Sequence, residues 1–533
     1  MRLTKTVWPI LVFTCISGCF KAQEKSEDNS HAFMFTIETT FDNATVRIPV
    51  YSPDPNDVIT DVDCDGDGRF EQTGLNGNIK CTFEKAGTHQ ISMHGKIPSL
   101  MLGEIYTYCT NDQCMDSCVA SCKTDCEAVI NPYRVLSQKA DIFHVCDIQL
   151  WYKDKDNYCK SSCKEQANDI QDELRWRDSL HILSIDQWGD IEWKSMQGFA
   201  ASCENIRILA KDKPNLQQVH DMRRMFFKAS SMNDPIGDWD VSNVTQMDAL
   251  FYECYAFNQH LNDWNVSKSE SMAHMFSSCS AFDQPLDKWD VSHVTDMTAM
   301  FMNTDRFNGD IGGWNVSNVK SMSGMFSETK RFNQPLENWD VSNVEAMIAM
   351  FHGAKKFNQP LEQWNVSNVK TMAGMFSETK RFNQPLEHWN MSKVEDISGM
   401  FSGAKQFNQP LEKWDVSSVK SMNRTFSNTQ RFNQPLNEWN VSNVTDMGNL
   451  FYDAKRFNQP LDKWNVSNVT NMESMFMEAR KFNQRLDKWD VSKVNNMTKL
   501  FYNAKSFRHK PNQWPLDKVT HKDGMFSESG VEL

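Results

Sequence analysis

A 25-residue unit recurs at least twelve times across the C-terminal 300 residues without slipping register. Tryptophan marks it at Trp239, Trp264, Trp289, Trp314 and onward in the same step to Trp514. Phenylalanine keeps that step from Phe226 through Phe251 and Phe276 to Phe526. A strict period of this length belongs to chains whose units cannot bury an apolar face alone and bury it against their neighbours. Most of this chain is therefore expected to be a rod that presents surface. At about 4.8 Å per rung, twelve to thirteen rungs would span near 60 Å.

Within one unit, Val444, Met447, Leu450 and Phe451 fall at i, i+3, i+6 and i+7, which predicts two turns of amphipathic helix. Ser442 or Asn443 is placed to cap it, and Gly353, Ala354, Gly403 and Ala404 fall where equivalent helices would end. Trp439 and Val441 stand at strand spacing. Proline recurs before the leucine, at Pro335, Pro360, Pro385, Pro410, Pro435 and Pro460. A proline in every rung would remove a ladder donor, so the strand is expected over Trp-x-Val, with the Phe-Asn-Gln-Pro-Leu stretch as a connection. The methionine row reads as core filling. The asparagines after phenylalanine, from Asn333 through Asn458, read as a ladder bonding neighbouring backbones. Cys254 and Cys279, one period apart, and Cys203 in a weaker leading unit, read as stacked buried thiols.

Stacking also turns single charges into rows. Cations precede the phenylalanine at Lys330 and Arg331, Lys355 and Lys356, Lys380 and Arg381, Lys455 and Arg456, and Arg480 and Lys481. Acids follow the leucine at Glu337, Glu362, Glu387, Glu412, Asp462 and Asp487. These rows are either an electrostatic docking surface or, more simply, a solvated face that keeps a rod soluble. Lys330, Arg331, Lys355, Lys356, Lys380 and Arg381 are the candidate ligand-binding residues. The overall formal charge of -13 argues against a nucleic-acid partner.

The chain carries 15 cysteines, clustered ahead of the repeats, which points to an oxidising compartment. Arg2 and Lys5 followed by the short apolar run Val7 to Ile16 read as a secretory signal, too short to span a bilayer as a mature helix. The run ends in Ile16-Ser17-Gly18-Cys19, which resembles the lipobox of bacterial lipoproteins. That resemblance implies acylation of Cys19 and a lipid anchor in the bacterial cell envelope, and Phe20 favours the outer membrane or cell surface. Residues 20–32 are polar and read as a tether.

Short alternating runs from Phe33 to about Leu102 predict strands. "CDGDG" followed by "AGTHQISMHG" resembles the polycystic-kidney-disease type of β-sandwich, and that resemblance implies that Cys64 and Cys81 lie on neighbouring strands and form a disulfide. Asp63, Asp65 and Asp67 alternate as calcium ligands do. The twelfth position is Gln72 counted from Asp61, or Gly74 counted from Asp63, where a glutamate is needed, so a plain turn is the simpler reading. Beyond the sandwich, Cys109, Cys114, Cys118, Cys122 and Cys126 fall mostly at a spacing of four, on one face of an expected helix, and Cys159 and Cys163 repeat that spacing. Two antiparallel helices would allow pairs such as Cys122 with Cys163 and Cys126 with Cys159. A metal site is the rival, but Cys-x-x-Cys knuckles are missing.

The repeated "FNQPLxxWxVSNVxxMxxMF" is similar to the unit of BspA-like leucine-rich-repeat surface proteins. The resemblance covers about 180 to 530; Lys522 replaces a methionine in the last unit, which looks like a cap. It implies a surface protein that attaches to protein or glycan partners. The expected architecture is an α/β repeat solenoid of leucine-rich-repeat-like 25-residue units (179–533), preceded by a signal peptide (1–19), the tether, an all-β sandwich (33–105) and a Cys-rich helical insertion (106–178). The expected function is lipid-anchored adhesion without a cofactor, the alternative being a spacer or envelope scaffold. His144, His181 and His220 are scattered without partners at telling spacing, so no enzyme is expected.

Overall fold

The computed structural model describes residues 31–39, 42–51, 59–75, 79–100, 102, 106–108, 181–517 and 519–531. The signal segment with Cys19, and Cys122, Cys126, Cys159 and Cys163, lie outside the described residues.

Among the described residues, eleven strands precede or enter the repeats. Strands β1 (Phe33–Thr39), β4 (Ile59–Asp63), β5 (Gln72–Leu75), β7 (Gly87–Lys96), β10 (His181–Gln187) and β11 (Arg207–Ile208) form a six-stranded sheet in the order β11-β10-β1-β7-β4-β5. Strands β2 (Ala44–Ile48), β6 (Ile79–Phe83) and β9 (Tyr106–Tyr108) form a second sheet in the order β6-β2-β9. The remaining two, β3 (Val50–Tyr51) and β8 (Ser99–Leu100), pair with each other. Alternation decides the faces. Phe33, Phe35, Ile37, Val62, Ile91 and Met93 of the first sheet and Val46, Ile79, Cys81 and Phe83 of the second are buried in one core. Position 106, where a helical insertion was expected to start, opens a strand; the cysteine-rich remainder of that insertion lies outside the described residues.

The sheet closes the first end of the repeats. Strand β10 pairs antiparallel with β1 and parallel with β11, whose residues belong to the leading repeat unit. Phe33 packs on Trp193 at 5.3 Å, on Trp188 at 6.0 Å and on Phe199 at 6.1 Å. Lys194 donates its backbone N–H to the Pro98 carbonyl. The apolar core is thus continuous from sandwich to repeats.

The expected α/β class is overturned: among the described residues there is no α-helix, and the repeat units are built of turns and single-residue bridges. Backbone hydrogen bonds show why. Met447, Asn449, Phe451 and Asp453 donate to Asn471, Glu473, Met475 and Met477 of the next unit at 2.7–2.9 Å. Between them Leu450, Tyr452 and Ala454 donate three residues back, to Met447, Asn449 and Phe451. Every second amide therefore serves the neighbouring rung, and a helix would need all of them for itself. The alternation requires two residues per unit in the left-handed region, here Asn449 (φ 57°) and Asp453 (φ 50°). In one rung glycine supplies both, at Gly399 (φ 63°) and Gly403 (φ 70°), where it meets no Cβ penalty. The apolar step of three is the step of chained three-residue turns.

The strand expected over Trp-x-Val is also displaced. The parallel bridges run one residue before the methionine, from Asp221 to Gln246, Ser271, Asp296 and on to His521. Trp464 instead closes a turn on Leu461. Proline is tolerated because side chains carry the ladder through that stretch. Asn433 Oδ1 accepts from the Asn458 backbone N–H at 2.8 Å, and Gln459 Nε2 donates to the Asn433 carbonyl at 3.1 Å.

The aromatic residues stack in three columns, one of tryptophan and two of phenylalanine. Trp339 and Trp364 stack at 6.4 Å with planes 2° apart, Phe351 and Phe376 at 5.7 Å, and Phe357 and Phe382 at 6.1 Å. Each tryptophan from Trp264 to Trp489 donates Nε1–H to a leucine or isoleucine carbonyl 28 residues earlier, as Trp364 does to Leu336 at 2.9 Å. This satisfies a polar tip that burial would otherwise penalise.

Candidate functional site: charged rows on the stack

Each rung turns two corners outward next to its buried phenylalanines. In the rung of Ala354, the turn Ala354–Phe357 is closed by the Phe357 N–H on the Ala354 carbonyl at 3.1 Å. Ala354 and Phe357 are fully buried, so the two central residues, Lys355 and Lys356, are lifted into solvent. Repetition places Lys330, Lys380, Lys405, Lys455 and Arg480 beside Lys355, and Arg331, Arg381, Arg431, Arg456 and Lys481 beside Lys356. All six candidate residues therefore lie on two adjacent rows. The same 25-residue step leads on to Arg306, Lys405 and Arg431, outside the set singled out from sequence.

The rows differ in how their charge is met. Through Lys320, Glu345, Lys370, Glu395 and Lys420 the sign alternates rung by rung, and neighbours pair: Lys370 with Glu345 and Lys420 with Glu395, both at 2.5 Å. The hydrogen bond from Lys370 holds the Glu345 carboxyl below its ordinary range. A shallow depression on this row, lined by Lys320, Asn343, Glu345, Asn368, Lys370 and Lys393, is likewise spent internally, with Lys393 Nζ donating to Asn368 Oδ1 at 2.7 Å.

The acidic row after the leucine is half met, at Glu362, Glu387 and Asp462. Lys413 pairs with Glu387 at 3.4 Å, His388 stands 3.7 Å from Glu362, and Lys488 pairs with Asp462 at 3.0 Å. The Lys488 hydrogen bond depresses the Asp462 carboxyl.

The first cationic row is partly met, by Lys330 with Asp305 at 2.6 Å, Lys455 with Asp453 at 3.7 Å and Arg480 with Glu478 at 3.2 Å. The second is not. Arg306, Arg331, Lys356, Arg381, Arg431, Arg456 and Lys481 are exposed, and none makes an ion pair among the described residues. Gln406 is the single break. Sequence spacing shows where the two rows run but does not distinguish them, because pairing depends on which neighbour a corner faces.

Asp63, Asp65 and Asp67 do come together, joined by Glu71, with carboxylate oxygens within 4.8 Å of one another. Glu71 is the ninth residue from Asp63, a position from which the twelve-residue calcium pattern supplies a ligand, often through water, but the twelfth, Gly74, has no carboxylate. The loop is knitted by its own backbone. Asp63 accepts from Gly66 and Gly68 at 2.7 and 3.0 Å, Glu71 from Cys64 at 2.6 Å, Asp65 from Asp67 and Asp67 from Arg69. These four carboxylates could hold a cation, and they also suffice to shape the turn. Beside them Cys64 and Cys81 form a disulfide. The two belong to different sheets, Cys64 following β4 and Cys81 lying in β6, so the bridge runs from sheet to sheet.

Cys254 and Cys279 lie fully buried and donate to the Phe226 and Phe251 carbonyls at 2.9 Å; one rung on, Thr304 makes the same bond to Phe276 at 2.7 Å. A thiol thus serves where a hydroxyl serves elsewhere. Burial pushes the Cys203 thiol up to about 12 and also raises the Cys254 and Cys279 thiols. All three should resist iodoacetamide at neutral pH in the native protein and react in denaturant. Peptide mapping reads this residue by residue, and native labelling of Cys254 or Cys279 would contradict the buried assignment.

No curated protein matches the chain. Five overlapping stretches, 194–312, 284–387, 336–439, 372–471 and 424–531, match the family described as Mycoplasma protein of unknown function, DUF285. Together they cover more than half of the chain, and they coincide with the stacked rungs. The chain belongs to the DUF285 family.

Proposed function

We propose that this is a lipid-anchored bacterial surface protein of the BspA-like kind, whose stack binds a protein or glycan partner through its outer rows without catalysis. The observation that carries this reading is the in-register stacking, which repeats one outward residue along much of the rod. A partner that meets one rung meets the same chemistry on the next, so weak contacts add along the length. The lipobox-like Ile16-Ser17-Gly18-Cys19 supports an anchor at Cys19, where two or more acyl chains would hold the protein stably. The spacer alternative is favoured by the compensated rows, whose charges meet one another across rungs.

Two measurements test the proposal. Cys19→Ser should move the protein from the detergent-soluble membrane fraction to the aqueous phase and abolish acyl labelling. The full chain should bind at least one partner in a panel of extracellular-matrix proteins and polysaccharides saturably. Unchanged partitioning of Cys19→Ser removes the anchor, and no saturable binding across the panel leaves the spacer.

A further inference from the structure

We infer that the row of unpaired cations from Arg306 to Lys481 is a track for a linear acidic polysaccharide. This rests on the binding function proposed above and names its partner class. Three features of the row carry it.

The first is sign. A solvated face needs charge but no single sign, and this stack shows how it builds such a face, by alternating lysine with glutamate so that rungs pair at 2.5 Å. The row through Arg331, Lys356 and Arg381 departs from that solution. It places like charges on successive rungs, about 4.8 Å apart by the geometry of paired backbones, and among the described residues gives none of them an acidic partner. Spacing inside the Debye length means that the repulsion is not screened away. A polyanion laid along the row relieves it.

The second is shape. The rungs stack in parallel register over the whole interval, so the row is a regular file of cations, one per rung, held on turn tips whose flanking residues are fully buried. Lys355, Lys380 and Lys405 in the adjoining row add unpaired positive charge beside it. A polymer with an anionic group at each sugar or each second sugar repeats on a scale comparable to one or two rungs, and can stay in register.

The third separates this partner from nucleic acid. Single strands need aromatic platforms for their bases. The exposed large apolar side chains among the described residues are Leu209, Tyr255 and Ile348, none of them in the row. The five arginines of the row, Arg306, Arg331, Arg381, Arg431 and Arg456, suit sulfate or carboxylate, which they can hold through two N–H groups at once.

The test uses the full chain with heparin as the sulfated probe, hyaluronate as the carboxylate-only probe and oligothymidylate as the nucleic-acid probe. The key variant combines Arg331→Gln, Lys356→Gln, Arg381→Gln, Arg431→Gln and Arg456→Gln. Its control, with the same charge removed from paired positions, combines Lys288→Gln, Lys370→Gln, Lys413→Gln, Lys420→Gln and Lys463→Gln. Wild type should bind heparin saturably, with affinity falling steeply as salt rises, and heparin should raise the thermal midpoint by mass action. The row variant should fold to the same secondary structure and lose affinity at least ~100-fold with a shallower salt slope, as counter-ion release predicts. The control should lose less than about 5-fold, since net charge alone acts weakly across a screened surface.

No binding of either polysaccharide by wild type overturns the inference, and so does equal loss in the two variants. Tighter binding of oligothymidylate reassigns the row to nucleic acid. Saturable binding of a protein partner that survives the row variant would leave the proposed surface function standing while this track fell.

Discussion

Trp364→Ala should split the unfolding of the stack into two transitions. Trp364 is buried to 3 % exposure, stacked 6.4 Å from both Trp339 and Trp389, and it donates Nε1–H to the Leu336 carbonyl at 2.9 Å. Truncation leaves a cavity in the middle of a column and a carbonyl without its donor, and such a change costs about 3–5 kcal/mol. In a compact domain that loss lowers one midpoint. In a stack, stability is a sum of rung and nearest-neighbour terms, so the defect falls on the interfaces around one rung and uncouples the arrays on either side. Urea titration followed by hydrogen exchange should show amides near Phe351 and Phe376 losing protection first, while those near Phe251 and Phe476 keep theirs.

Trp364→Phe separates the two contributions. It retains a stacked ring while losing the N–H and part of the indole's bulk, and should cost less than the alanine change, about 1–2 kcal/mol, with a single transition kept. Uniform loss of protection over all rungs in Trp364→Ala would show that the stack unfolds as one body, and the nearest-neighbour account would fall.

The column that this prediction disrupts was fully legible in the sequence, because tryptophan at a fixed step has few other uses. The backbone between columns was not. Val444, Met447 and Leu450 at steps of three fit a helix and fit a chain of three-residue turns equally well, and apolar periodicity cannot tell them apart. The distinguishing signal was present in residues other than the apolar ones. Gly324, Gly374 and Gly399 share one place in the unit, and Gly353 and Gly403 share another four residues on. Two recurrent glycine positions inside a supposed helix are the mark of a left-handed backbone, and the structure uses both that way.

Proline misdirected the strand for a related reason. It excludes a backbone ladder through Phe-Asn-Gln-Pro-Leu correctly, but the bridge went to the residue before the methionine rather than to Trp-x-Val. The asparagine and glutamine side chains took over the work through the proline stretch. For the candidate surface, spacing placed the cationic rows on one side of the unit. Which row stands without partners depends on rotamers and on the rung above, information that one sequence period does not carry.

Removing the Cys64–Cys81 bridge should destabilise the sandwich first and the repeats only through their shared core. The bridge closes a loop of 17 residues between two sheets. A cross-link of that span restricts the unfolded chain by about 3 kcal/mol in the loop-entropy account. Cys64→Ala with Cys81→Ala removes it while leaving no unpaired polar atom in a place where the sulfurs are almost wholly buried. The loop of Asp63, Asp65, Asp67 and Glu71 is tied to that bridge through the Cys64 N–H, so the amides of Gly66 and Gly68 should exchange faster along with those of β6.

The effect should then decay along the chain. Phe33 packs directly on Trp188, Trp193 and Phe199, so the first rungs sense a loosened sheet. Rungs beyond Trp264 touch only their own neighbours and should keep native exchange. A double variant whose midpoint and exchange match wild type would show that the sheets hold together without the bridge. Equal loss of protection as far as Phe501 would mean that sandwich and stack are one cooperative unit, in which a change at either end is felt at the other.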